Sequence, residues 1–133
     1  MQDFKKLIVW QKSQVLMADI YKTLESFPKE EIFSLTRQIK ESVRSVGANL
    51  AEGSCKSGDH EFKRYVGIAL GSACELENHL LAAQELKFLP GPAFDRLYPM
   101  CQEIRRMLVS LLRRLAASKK RPYGPRPTLP PRS

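Results

Sequence analysis

Residues 62–83, FKRYVGIALGSACELENHLLAA, decide the fold. Their apolar members, Phe62, Val66, Ala69, Ala73, Leu76, Leu80 and Ala83, alternate steps of four and three residues. Held over this length, that spacing draws one apolar stripe along a helix and predicts lengthwise packing against other helices. Gly58 precedes the stripe as a cap, with Glu61 at the third helical position. Downstream, Leu89-Pro90-Gly91-Pro92 reads as a turn. A fourth helix follows with Phe94, Leu97, Cys101, Ile104, Leu108, Leu111 and Leu115 on its stripe. Pro99 lies inside that repeat and predicts a kink or a delayed start.

Upstream the same period continues. Ile32, Leu35, Ile39, Val43, Val46 and Leu50 mark a second helix that begins near Pro28, with Gly53 read as its C-terminal stop. Leu7, Trp10, Gln14, Met17, Tyr21 and Leu24 mark the first, which places the single tryptophan in the core. No segment reads as a strand. The fold class is all-α, an antiparallel up-down-up-down four-helix bundle over residues 1–118. Residues 119–133, KKRPYGPRPTLPPRS, hold five prolines and five Lys/Arg and predict a disordered, basic, proline-rich tail.

The chain has 133 residues, and its 43% apolar and 27% charged content suits one globular domain. The net charge is +8, unevenly distributed: all 14 Asp/Glu lie in residues 1–104, whereas 105–133 carry nine Lys/Arg and no acid. A neutral body with a basic end points to a polyanion partner. Apolar runs reach only about four residues, far from the roughly 20 of a membrane span, so no membrane partner is expected. No secretory signal core is visible at the N-terminus. Three unpaired-looking cysteines, Cys55, Cys74 and Cys101, argue for a reducing compartment, and a cytoplasmic location is expected.

Specific words then add to the periodicity. Leu7-Ile8-Val9-Trp10-Gln11-Lys12, Phe27-Pro28-Lys29-Glu30-Glu31-Ile32-Phe33-Ser34-Leu35 and Ala48-Asn49-Leu50-Ala51-Glu52-Gly53 stand in order along the chain. Glu61-Phe62-Lys63-Arg64-Tyr65 and Ile68-Ala69-Leu70-Gly71-Ser72 follow. Together they resemble the bacterial four-helix-bundle proteins of intervening sequences in 23S ribosomal RNA genes. The resemblance implies a homopentameric barrel without established enzymatic activity. It also implies kinship with accessory proteins of diversity-generating retroelements, which bind nucleic acid and a reverse transcriptase. Lys40-Glu41 stands where many members carry two basic residues.

Catalytic chemistry finds little support in the residues. Glu52 has no indicated nucleophile or base partner, and Asn49 to Gly53 reads as a helix-end and packing motif. Glu75 and His79 share a helix face, but the further carboxylates and second Glu-x-x-His of a di-iron bundle are missing. Cys55 and His60 lack a second pair at zinc spacing. No enzyme, metal or cofactor is therefore expected. The small residues of helix three, Gly67, Ala69, Gly71, Ser72, Ala73 and Cys74, predict close helix approach within the bundle or between subunits.

The candidate nucleic-acid-binding residues are basic. Arg105, Arg106, Arg113 and Arg114 flank the core positions of helix four, and Lys119, Lys120 and Arg121 continue them. Arg37, Lys40 and Arg44 form a second stripe on helix two. The expected function is a non-enzymatic homo-oligomer that binds RNA or DNA through phosphate contacts. The alternative is a protein-interaction scaffold, such as an accessory subunit of a retroelement reverse transcriptase.

Overall fold

The computed structural model describes residues 3–27, 33–56 and 58–123, with residues 33 and 118–123 as backbone. A short 3-10 turn at Phe4–Lys6 leads into α1 (Ile8–Leu24), α2 (Phe33–Ser54), α3 (Asp59–Glu85) and α4 (Gly91–Tyr123). No strand occurs among the described residues. α1 packs on α2 and α4, and α3 packs on the same two helices. The diagonal pairs have no Cα atoms within 8 Å of each other among the described residues.

Every seam runs antiparallel. Lys12 meets Glu103 and Asp19 meets Arg96 between α1 and α4. Between α2 and α3 the Ser45 and Ser72 hydroxyls lie 2.7 Å apart, and Gly53 backs onto Tyr65. Cys101 Sγ donates to the Ala73 carbonyl at 3.5 Å between α3 and α4. Gly47 backs onto Ser13, and Lys40 Nζ lies 5.0 Å from the Tyr21 ring centroid, between α1 and α2.

The stripes of α3 and α4 are buried at all seven predicted positions of each. α2 buries Ile39, Val43, Val46 and Leu50, with Leu35 half-buried. The first helix differs from its expected phase. Val9, Ser13, Leu16, Ile20 and Leu24 are buried, whereas Leu7, Trp10, Met17 and Tyr21 only flank the core. At the close crossing with α2, Gly47 lies against the side chains of Ser13, Gln14 and Trp10 of α1. Ser13 is polar yet satisfied, since its hydroxyl donates to the Trp10 carbonyl at 2.7 Å. Trp10 instead meets Phe4 edge-on, with ring centroids 5.1 Å apart.

Gly53 does not end α2. The helix continues through Ser54, and the positive-φ glycine among the described residues is Gly58, with φ 87°. Gly53 is needed for contact instead, because an added Cβ would lie 2.5 Å from Tyr65 Cβ. Gly58 caps α3, with Asp59 and Glu61 in the first turn as the helix dipole favours. α3 ends in a Schellman turn: Phe88 N–H donates to the Ala83 carbonyl and Lys87 N–H to the Gln84 carbonyl, both at 2.9 Å. The left-handed position of that turn is filled by Lys87, φ 63°, rather than by glycine. α4 starts at Gly91 and passes through Pro99 on its exposed side, so Pro99 does not delay the helix start. The α4 backbone runs past Ser118 to Tyr123. The rest of the expected tail and the expected start of the second helix, residues 28–32, lie outside the described residues.

Candidate nucleic-acid interface

Burial of Cys101, Ile104, Leu108, Leu111 and Leu115 turns the opposite face of α4 outward. Arg106 and Arg113 are exposed there. Seven residues separate them, about 10.5 Å along the axis. Arg114 lies at the edge toward α1, its Nη1 donating to Ser110 Oγ at 3.3 Å. Among the described residues no carboxylate pairs with Arg106, Arg113 or Arg114. The backbone of Lys119, Lys120 and Arg121 continues the same helix, and their side chains lie outside the description.

Arg105 stands apart from these. It turns toward α3, where its Nε donates to Glu77 Oε1 at 2.7 Å, and Tyr98 OH donates to Glu77 Oε2 at 2.9 Å. The hydrogen bond to Glu77 holds Arg105 further toward its charged form and raises the Tyr98 phenol. Its charge is thus matched within the bundle. Arg37 and Arg44 are exposed on α2, with Lys40 half-buried against Tyr21. α2 and α4 are diagonal, so the two basic stripes lie on helices that do not touch.

Sequence spacing could not show one further feature. The start of α1 and the later half of α4 frame an open groove of about 390 Å³. Leu7, Ile8, Val9, Met107 and Leu111 line it, with Lys6 and Arg114 beside them. Lys6 and Arg114 are far apart in sequence and meet only because α4 returns beside α1.

The family pattern described as 23S rRNA-intervening sequence protein matches residues 5–110. The chain belongs to that family. Its fold is similar to a crystal structure from Bacteroides thetaiotaomicron, a protein with unknown function from the S23 ribosomal protein family. The TM-score is 0.71 at 27% identity, with 79% of this chain and 98% of that one covered. No curated protein matches the chain. In this intervening-sequence protein Arg113, Arg114 and everything after them lie beyond the matched span, whereas Arg105 and Arg106 lie within it.

The remaining motifs of this family member make local contacts or lie on the surface. Asn49 Nδ2 donates to the Ser45 carbonyl and to Ser45 Oγ, each at 2.9 Å, and Glu52 accepts from Tyr65 OH at 3.3 Å. Glu75 and His79 line a polar groove with Glu41, but no group of three His, Cys, Asp or Glu gathers for a metal among the described residues. All three cysteines are thiols, with Cys55 and Cys74 exposed and Cys101 buried. Burial pushes the Cys101 thiol up to about 12, so it is a packing group at neutral pH. No described helix is long and apolar enough to cross a membrane.

Proposed function

We propose that this intervening-sequence protein is a non-enzymatic, cytoplasmic homo-oligomer that holds RNA or DNA through phosphate contacts. The observation that carries the reading is the outward face of α4, where Arg106, Arg113 and Arg114 lack a described acidic partner. Surfaces of ordinary globular proteins mix both signs, so an acid-free face is better explained by an anionic partner. Lys119, Lys120 and Arg121 extend it in sequence. Assembly with further copies is supported on α3, where Gly67 and Gly71 meet nothing within 4 Å and Ile68 and Leu81 are exposed; the number five rests on the family resemblance. A second subunit could approach closely along that face.

Binding of RNA and DNA, measured against salt concentration, tests the reading. Neutralising Arg106, Arg113 and Arg114 together should weaken binding across sequences. Each lost contact should flatten the log–log salt slope by about 0.7 to 0.9. Arg105→Gln should change stability more than binding, because it breaks the Glu77 pair. Light scattering should give a mass near five times 15.2 kDa. Absence of binding at low salt overturns the reading in favour of the scaffold, with a reverse transcriptase as the partner to test.

A further inference from the structure

The groove between the start of α1 and the later half of α4 differs in character from the arginine face beside it. Val9 and Leu111 are buried at its base, but Ile8 is 56% exposed at the first position of α1. Apolar surface is thus left open in a groove whose charged lining residues, Lys6 and Arg114, are both cations. Lys5 and Arg113 adjoin them in sequence, and no acid follows Glu103. Ser110 adds a hydroxyl that already accepts from Arg114.

An apolar floor with a cationic rim suits a ligand that is flat and apolar in one part and anionic in the next. A nucleotide that is neither paired nor stacked has this character, whereas a duplex hides its base faces. We propose that this groove receives one unpaired nucleotide of a single-stranded nucleic acid, its base against Ile8, Met107 and Leu111 and its flanking phosphates on Lys6 and Arg114. The inference rests on the nucleic-acid reading above and deepens it, from phosphate contact in general to a preference for unpaired strands. Met107 contributes a polarizable thioether, a good neighbour for an aromatic ring. The chain's own last residues are a poor occupant, since residues 124–133 carry Arg126 and Arg132 and no acid. A second copy laid groove to groove would set like charges together.

Ile8→Glu and Val15→Glu separate this slot from general electrostatics. Both positions are exposed on α1, at 56% and 60%, and lie seven residues apart on one face, but only Ile8 lines the groove. The two variants change net charge equally. The probes are an unstructured single-stranded RNA and the duplex formed with its complement. Ile8→Glu should weaken single-strand binding about tenfold more than Val15→Glu, the scale of losing one base contact. On the duplex the gap between the two variants should be smaller, limited to the pull of the new carboxylate on Lys6 and Arg114. Equal losses on the single strand overturn the slot while the phosphate reading stands, provided the wild-type protein binds either probe. An assembly mass altered by Ile8→Glu and not by Val15→Glu also overturns it, by showing a second copy in the groove. If the wild-type protein binds neither probe, the broader reading fails and the slot with it.

Discussion

α1 and α3 are both amphipathic helices in one bundle, yet only one of them wears its core on its sequence. Along α3 all seven positions of the apolar stripe are buried, although Ile68, Leu70 and Leu81 lie outside that stripe. Along α1 two apolar rows lie side by side. Leu7, Trp10, Met17 and Tyr21 form the bulkier one, and Val9, Leu16, Ile20 and Leu24 the one that turns inward. At the crossing with α2, Gly47 lies against the side chains of Gln14, Ser13 and Trp10, so its missing Cβ makes room for all three. The bulkier row therefore does not take the core by bulk alone.

The largest test of this contrast compares Leu16→Ala with Trp10→Ala. Leu16 is 1% exposed, and its truncation should cost about 2–5 kcal/mol in chemical denaturation. Trp10 flanks the core, so its truncation should cost less than that of Leu16. A larger loss at Trp10 would return α1 to the phase its sequence suggests. The glycines give the next contrast. Gly53→Ala pushes a methyl into Tyr65 and should cost about 1–3 kcal/mol. Gly71→Ala meets open space and should gain up to about 1 kcal/mol in the isolated subunit. Similar effects at both would mean that α2 and α3 cross less tightly than described.

On the α3–α4 seam the test is pH. Burial raises the Cys101 thiol, so the folded protein favours its neutral form. Its contribution to stability is complete below the ordinary thiol value of 9.0 and is lost as pH rises toward about 12. Replacing Cys101 with Ala should remove that alkaline slope. A thiol reagent at neutral pH should modify Cys55 and Cys74 in the folded chain and spare Cys101. Prompt reaction at three sites would show the seam to be open. The smallest effect belongs to Lys87→Gly, which relieves a left-handed lysine and should stabilise by up to about 1 kcal/mol.

What sequence could and could not supply follows from the same physics. The stripes of α3 and α4 were legible because hydrophobic period survives any choice of neighbour. Gly53 was misread as a stop because glycine serves both turns and close contacts, and only Tyr65 in space separates the two uses. The same blindness covers charge. Arg105 and Arg106 are adjacent and alike in sequence, but one faces Glu77 across a seam and the other faces outward. Lys6 and Arg114 could be joined by no local rule. Pairings of this kind exist only once the bundle closes.

That closure has a kinetic side. Ser45 and Ser72 are 27 residues apart in the chain, and Ala73 and Cys101 are 28 apart, whereas Asp19 and Arg96 are separated by 77. The entropy lost on closing a loop grows only with the logarithm of its length, so the longer span adds less than 1 kcal/mol to the closing cost. It still ranks the steps: helical hairpins form from near neighbours, and docking α1 onto α4 is the longest-range event in the fold. The two-pronged grip of Arg96 on Asp19, with both contacts at 2.9 Å, sits at that last junction beside the Lys12–Glu103 pair. Its hydrogen bonds hold the Asp19 carboxyl below its ordinary value, so the pair's small contribution to stability is kept at neutral pH and lost only as pH falls through that lowered value.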